Sequence, residues 1–258
     1  MSKTTPLAKG WESQIDLIET SAIKPLVRKN YTHNPTLLTQ EYSALVHLHN
    51  IGYSVPKPIK LEPDGIYMQH IENGNLWSIY EKSSIKQELI INFTKLLADL
   101  HALTLENPQP FIQTELSEIK ALIETHQLTN YQATLNHLKT KSTKITESPP
   151  TYLHRDYHPW NVLQDKSGKL YTIDLLLKQG DYRFDVAWTY MLMKRTGKDE
   201  FAENFLTEYQ NLSPLPDFEF FKQLANLRWL VNVRPGEMSE KPESFQHWIK
   251  QAEKECAS

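Results

Sequence analysis

Two carboxylates and one amide recur at short intervals in the middle of the chain, at Asp156, Asn161 and Asp174. Oxygen ligands from Asn161 and Asp174 suit a hard cation such as Mg²⁺, which takes one or two carboxylates and completes its shell with water and substrate phosphates. Asp156, on the loop before Asn161, could accept a proton from a hydroxyl while the metal holds a triphosphate. Singly, each is also an ordinary loop residue. Together they predict phosphoryl transfer.

A β-hairpin is predicted to bring two of these side chains together. A strand-like run follows Asn161, and after a polar turn a second run returns to Asp174. Pairing Gln164 with Lys169 would place Asn161 opposite Thr172, two residues before Asp174. We therefore expect Asn161 and Asp174 to be near neighbours.

The same region resembles a known family. It reads HRDYHPWNVL, then YTID, then GDYRFDVAW, which is similar to the HxDxHxxN, ID and GDxxxD motifs of the aminoglycoside phosphotransferase and choline kinase superfamily. The resemblance implies that Asp156 is the catalytic base, that Asn161 and Asp174 bind Mg²⁺, and that Asp185 braces the catalytic loop. It also implies ATP as the phosphoryl donor and an α+β, bilobal, protein-kinase-like fold. In that fold a small β-rich N-terminal lobe precedes a larger, mostly helical C-terminal lobe.

The composition excludes several other classes of protein. The chain has 258 residues, 40% of them hydrophobic, and a net charge of −3, which gives no general attraction for nucleic acid or an anionic membrane. It shows no apolar signal core and no run approaching the roughly 18 apolar residues of a spanning helix. We therefore expect a cytoplasmic protein with no nucleic-acid or membrane partner. The single cysteine, Cys256, excludes an internal disulfide and a cysteine metal cluster.

The N-terminal residues are predicted to form short strands, with alternating polarity over residues 14–19 and a second strand that ends at Lys29. This pattern resembles the β-hairpin of a kinase small lobe, which implies that Lys29 or Arg28 holds the α- and β-phosphates of the nucleotide. The two side chains point to opposite faces. Lys29 shares its face with Val27, whose small apolar side chain suits an adenine, so Lys29 is favoured. Surface charges at a strand end are the alternative for both.

The loop that covers the phosphates in such kinases is thin in this chain. It reads Gly10-Trp11-Glu12-Ser13-Gln14 and holds a single glycine. The backbone amides of Glu12 and Ser13 are the predicted phosphate contacts.

A predicted helix after Asn34-Pro35 carries a carboxylate within its apolar face. Leu38, Leu45 and Leu48 form one stripe on a 3.6-residue period, and Glu41 lies in the middle of it. Burying an unpaired charge is costly, so a cation is the expected partner, and the strand cation before the helix is the candidate. The family resemblance implies the same ion pair. An exposed Glu41 is the alternative.

The segment MQHIENG resembles the hinge of these kinases. The resemblance implies that backbone groups of Gln69 and Ile71 bind the edge of the adenine, whereas a plain edge strand is the alternative. On this basis residues 1–72 are predicted to form the nucleotide-binding lobe. Residues 73–258 are predicted to form the catalytic and acceptor-binding lobe.

The length of one segment favours a small acceptor. Ten residues separate Asp174 from Asp185, whereas a protein kinase needs a longer segment there to dock a polypeptide. The predicted function is a kinase that phosphorylates a hydroxyl of a small metabolite or antibiotic. A nucleotide-binding pseudokinase or scaffold is an alternative that the thin phosphate loop favours, and a protein Ser/Thr kinase is one that Arg155 favours. The acceptor and the oligomeric state stay open.

Two further side chains near these motifs have two interpretations each. Trp160, inside the catalytic loop, either flanks the acceptor or packs beneath the loop. His101, on the apolar helix that contains LLADLHAL, is more often a packing residue than a ligand.

Overall fold

The computed structural model describes residues 3–9, 13–19, 24–31, 35–103, 105, 109–233 and 243–256. The predicted phosphate contact Glu12 lies outside them. The chain divides into two compact units. Met1–Asp99 and His158–Leu177 form the first, and Leu100–Tyr157 and Lys178–Ser258 form the second.

An antiparallel sheet of five strands dominates the first unit, in the order β1-β2-β3-β5-β4. The strands are β1 (Lys3–Lys9), β2 (Ser13–Glu19), β3 (Leu26–Tyr31), β4 (Pro58–Glu62) and β5 (Gly65–Gln69). The polarity pattern does not predict β1. Pro6 lacks an amide hydrogen, and the register of β1 shifts between Pro6 and Ala8. Such a strand is tolerated because it lies at the edge of the sheet.

Two helices and most of a third complete the first unit. They are α1 (Pro35–Asn50), α2 (Leu76–Tyr80) and α3 (Lys86–His101), whose last two residues belong to the second unit. The predicted stripe on α1 is confirmed, because Leu38, Glu41, Leu45 and Leu48 are all buried.

The hairpin after Asn161 has a different register from the predicted one. Its strands are β7 (Val162–Gln164) and β8 (Leu170–Thr172), with Val162 opposite Thr172 and Gln164 opposite Leu170. The turn is one residue longer than predicted because the Asp165 carboxylate accepts the backbone N–H groups of Ser167 and Lys169, at 2.9 and 3.0 Å, and so holds Lys169 within the turn. The predicted pairing of Gln164 with Lys169 is therefore wrong by one position.

The turn between β4 and β5 constrains the backbone of the neighbouring strand β3. Gly65 has φ +146, and a Cβ added there would lie 2.6 Å from the Lys29 carbonyl oxygen. We expect Gly65→Ala to lower the free energy of unfolding by about 2–3 kcal/mol, because the backbone is strained and Lys29 must shift. Urea unfolding measures this change.

Gly52 provides the matched control, since its φ is +82 but an added Cβ would meet no atom within 4 Å. Gly52→Ala should cost about 1 kcal/mol, the strain of a left-handed backbone alone. Equal losses for the two variants would show that the contact with Lys29 is unimportant.

The second unit is mainly helical. Its helices are α4 (Ile112–Thr125), α5 (Gln132–Ser142), α6 (Tyr182–Arg195), α7 (Asp199–Leu212), α8 (Phe218–Val233) and α9 (Glu243–Cys256). The short strands β6 (Thr151–Leu153) and β9 (Lys178–Gly180) pair with each other. One apolar core joins α4, α5, β6, α6, α8 and α9 and includes Leu135, Leu153, Phe184 and Phe221, all fully buried. Within the described ranges, no helix has the length and apolar character needed to cross a bilayer.

Candidate active site

The first unit encloses a cavity of about 490 Å³. Much of its wall is apolar, and the lining includes Ile15, Val27, Leu45, Met68, Ile71, Leu163 and Ile173. Lys29, Glu41, Asn161 and Asp174 also line it. A cavity with apolar walls and a few convergent polar groups is the usual form of a small-molecule site.

A buried lysine connects the sheet, helix α1 and the hairpin within this cavity. Lys29 Nζ donates a hydrogen bond of 2.8 Å to the Glu41 carboxylate and also contacts the Asp174 carboxylate. The Tyr31 hydroxyl donates to the other Glu41 oxygen at 2.8 Å. Lys29 and Glu41 are 3% and 2% exposed, so this ion pair is shielded from water. The expected partner of Glu41 is thus Lys29.

Lys29 keeps its charge in this environment. Burial disfavours the ammonium, yet attraction to Glu41 and Asp174 outweighs that cost and raises the pKa of Lys29 above its ordinary value. The pocket therefore contains a fixed cation at neutral pH.

Arg28 points to the other face of β3, as the alternation of a strand requires. Its guanidinium binds Asp16 at 2.8 Å and Asp64 at 2.7 Å, and Arg28 does not line the cavity. Val27 and Lys29 both do, so the predicted shared face is confirmed.

Glu41→Gln tests how much the buried pair stabilises the fold. Removing one charge from a buried pair typically costs about 3–5 kcal/mol, and we expect about 3 kcal/mol because Lys29 retains Asp174 as a partner. Urea unfolding measures the loss. The exposed pair of Lys60 and Glu62, 3.1 Å apart, is the control. Glu62→Gln should cost less than about 1 kcal/mol, and a similar loss in Glu41→Gln would show that the buried pair adds nothing.

The two predicted metal ligands lie side by side. The Ile173 backbone N–H donates to the Asn161 carbonyl at 3.0 Å, which places Asp174 next to the residue opposite Asn161. The predicted proximity is therefore confirmed despite the changed register. Asp174 has φ +60, a left-handed conformation that costs energy in a non-glycine residue. Strain of this kind concentrates at functional sites.

This donor set fits a magnesium ion. A partly exposed carboxylate and a neighbouring amide line one cavity, and Mg²⁺ usually takes its other ligands from water and phosphate. No cluster of three or more His, Cys, Asp or Glu residues suited to a metal occurs in the part of the chain that the structure describes.

Asp156 belongs to the second unit, on the loop after β6. The residue is exposed, and its carboxylate accepts a hydrogen bond of 3.3 Å from the Trp188 indole N–H. The buried Asp185 carboxylate accepts the backbone N–H groups of His154 and Arg155, at 2.6 and 2.9 Å. The structure thus confirms that Asp185 braces this loop.

Arg155 has a structural partner of its own. Its guanidinium makes a bidentate ion pair with Glu115, at 2.7 and 3.0 Å, and lies 4.6 Å from the centre of the Phe184 ring. Its φ of +71 turns the chain just before Asp156. An arginine held in this way supports the loop, which weakens the case that Arg155 indicates a protein kinase.

His101 is a packing residue, as expected. Its ring nitrogens lie 2.6 Å from the Tyr209 hydroxyl and 3.4 Å from the Asp185 carboxylate, and the side chain is buried. The buried His101 ring therefore packs against the Asp185 carboxylate.

The predicted hinge residues Gln69 and Ile71 line the cavity, as does Ser13 at the start of β2. The Gln69 backbone N–H donates to the Lys57 carbonyl at 2.9 Å. The Gln69 backbone N–H is therefore already committed to another backbone group.

Trp160 packs within the first unit, and its predicted role beside the acceptor stays a prediction. Its ring packs against Trp77, with centroids 5.5 Å apart, and also lines the cavity next to Asn161.

Tyr31, Trp77 and Trp188 are among the residues of these sites that were not predicted from the sequence. For Trp188 a signal exists, because it follows Asp185 by three positions on α6 and so shares its face. Tyr31 and Trp77 meet their partners through tertiary packing, which no local pattern encodes.

The sheet, the buried Lys29–Glu41 pair and the loop–hairpin arrangement define a protein with a kinase-like fold. Residues 3–224 match the phosphotransferase enzyme family (APH), and the chain belongs to that family. No curated protein matches the sequence significantly.

Solved structures of other kinases share this fold at low sequence identity. An ethanolamine kinase from Plasmodium vivax superposes with a TM-score of 0.77 at 11% identity, covering 99% of this chain and 81% of that one. A choline kinase from Streptococcus pneumoniae gives 0.70 at 19% identity, covering 98% and 94%. The ADP-bound aminoglycoside phosphotransferase APH(2'')-Ib gives 0.68 at 16% identity, covering 98% and 92%.

Proposed function

We propose that this protein is a small-molecule kinase that transfers the γ-phosphoryl group of ATP to a hydroxyl of its acceptor. The observation that carries the proposal is the buried Lys29–Glu41 pair, which holds a cation against Asp174 inside an apolar-walled cavity. A nucleotide needs both features, because its base is apolar and its phosphates are anionic. Membership of the phosphotransferase family supports the same function.

The base of ATP binds against the apolar wall that contains Val27 and Met68. The Gln69 carbonyl and the Ile71 amide contact its edge, and Lys29 holds the phosphates. Arg28 is committed to Asp16 and Asp64 and has no part in binding. The backbone amide of Ser13 contacts the phosphates. ADP bound to APH(2'')-Ib, which shares this fold, supports an adenine nucleotide as the donor.

Asn161 and Asp174 hold Mg²⁺ in this proposal. These two residues would hold the ion, which would supply positive charge against the phosphate oxygens. The left-handed backbone of Asp174 presents its carboxylate to the cavity that Asn161 also lines.

Asp156 orients the acceptor hydroxyl and accepts its proton as the reaction proceeds. The acceptor oxygen forms a bond to the γ-phosphorus, the bond from that phosphorus to the β–γ bridging oxygen breaks, and ADP leaves with the electron pair. An exposed carboxylate is suited to this role, because the acceptor must reach it from solution.

The acceptor is a small molecule. Between Asp174 and Asp185 the chain forms only β9 before α6 begins at Tyr182, which leaves no long segment to dock a polypeptide. The choline, ethanolamine and aminoglycoside kinases that share the fold are consistent with this size of acceptor.

A screen of hydroxyl compounds tests the function. The purified protein is incubated with ATP and Mg²⁺, and ADP release is measured with choline, ethanolamine, aminoglycosides, macrolides and methylthioribose. Release that depends on one compound class supports the proposal and names the acceptor. Tight ATP binding without turnover on any compound would indicate a pseudokinase or scaffold. Transfer to a generic protein alone would indicate a protein kinase.

A further inference from the structure

One face of helix α6 contacts the loop that carries Asp156. Asp185 accepts the backbone N–H groups of His154 and Arg155. Thr189 donates from its hydroxyl to the Tyr157 carbonyl at 2.8 Å. Between these two positions, Trp188 donates its indole N–H to Asp156 Oδ1 at 3.3 Å. Residues at this helical spacing share one face, so α6 supports the loop from 154 to 157 along its length.

Trp188 differs from the other two residues because it contacts a side chain and not the backbone. Its indole is rigidly held, since the residue is 7% exposed and its ring stacks on Phe184 with centroids 5.9 Å apart. Asp156, by contrast, is exposed. A fixed, buried indole N–H thus meets an exposed carboxylate.

We infer that Trp188 is a positioning residue for Asp156, a role that rests on the proposed function. The indole N–H holds one carboxylate oxygen and so fixes the rotamer from which Asp156 meets the acceptor hydroxyl. An indole only donates, so it stabilises the ionised carboxylate, which only accepts. Hydrogen bonds with one ionised partner are among the stronger ones in proteins.

Other titratable groups border the same loop and must be separated from Asp156. His154 Nδ1 accepts the Asp156 backbone N–H at 3.3 Å, and the buried Asp185 carboxylate lies against the preceding residues. The Arg155 guanidinium is paired with Glu115. None of these contacts involves the indole, so removing the Trp188 N–H leaves them in place.

Trp188→Phe removes the donor and keeps an aromatic ring in the core. We expect kcat to fall by about 10- to 100-fold because a misplaced reacting group loses rate steeply. KM for ATP should change less than about twofold, and the acid limb of the pH–rate profile should move to higher pH. Trp229→Phe is the control, because Trp229 is 6% exposed, also on a helix of the second unit, and packs against Arg195. It should retain kcat and the wild-type pH profile.

A spectroscopic test does not depend on the acceptor. In the full-length protein labelled with ¹⁵N-tryptophan, which has six indoles, the Trp188 signal is the one missing in Trp188→Phe. We expect this signal to shift as the pH is lowered and to lose that dependence in Asp156→Asn. The inference would be overturned if the pH dependence of the Trp188 signal were the same in Asp156→Asn as in the wild type. A Trp188→Phe variant with wild-type kcat and pH profile would overturn it too. Neither outcome would contradict the proposed kinase function. Wild-type turnover in Asp156→Asn would instead show that Asp156 is not the base, whereas a wild-type protein without turnover on any acceptor would refute the proposed function.

Discussion

Asp156→Asn is expected to reduce turnover by about 10²- to 10⁴-fold, the usual contribution of a positioned general base. An amide has nearly the same shape as the carboxylate but cannot accept the acceptor's proton. Its oxygen can still accept the Trp188 N–H, so the loop should keep its conformation. The affinity for ATP should stay within about twofold, because Asp156 does not line the cavity proposed to bind the nucleotide. Steady-state ADP release and calorimetric ATP titration measure the two effects.

A second variant separates chemistry from charge. Asp199→Asn also removes the charge of an exposed aspartate of the second unit. Asp199 lies in the first turn of α7, and its carboxylate pairs with Lys194 at 2.5 Å. Its turnover should equal that of the wild type. If Asp156→Asn were as active as Asp199→Asn, Asp156 would not be the base and the proposed mechanism would fail.

The sequence is most informative where the chemistry depends on neighbours along the chain. The hairpin that joins Asn161 to Asp174 follows from its turn residues, and the two residues are neighbours in the structure. Its register could not be derived, because the Asp165 carboxylate binds two backbone amides and lengthens the turn. Pattern rules specify that a turn forms, whereas side-chain hydrogen bonds decide its length.

Tertiary contacts can be predicted where the cost of burial demands a partner. Glu41 lies within an apolar stripe of α1, which predicts that a cationic side chain pairs with it. The cation expected is one on the strand that precedes the helix. The contact between Lys29 and Asp174 has no such signal, because 145 positions separate the two residues.

The division of the chain into its two compact units could not be predicted from the sequence either. The catalytic motif reads as one continuous loop, yet the chain passes from the second unit to the first between Tyr157 and His158. Asp156 is therefore supported by α6, whereas Asn161 is supported by the hairpin. Substitutions that loosen α6 should impair Asp156 without affecting the cavity that Lys29 and Asp174 line. The predicted lobe boundary after residue 72 stays a prediction.

Asp174→Asn should reduce turnover at least about 100-fold, because a metal ligand whose charge is lost forfeits several kcal/mol of transition-state stabilisation. Asparagine is the informative replacement, since it tolerates the left-handed backbone of Asp174 at φ +60 better than most residues. Lys29 keeps its bond to Glu41, so the cation stays in place. ADP release at several Mg²⁺ concentrations should show a weaker dependence on the metal.

Nucleotide binding distinguishes the loss of a metal ligand from general damage to the cavity. Without Mg²⁺, the Asp174 carboxylate repels the phosphates, so Asp174→Asn should bind metal-free ATP at least as tightly as the wild type does. With Mg²⁺ the order should reverse, because the wild type alone then has the charged ligand. Asp156→Asn is the internal control and should respond to Mg²⁺ like the wild type. If Asp174→Asn weakened ATP binding equally with and without Mg²⁺, its carboxylate would serve the cavity's structure through Lys29 and not a metal.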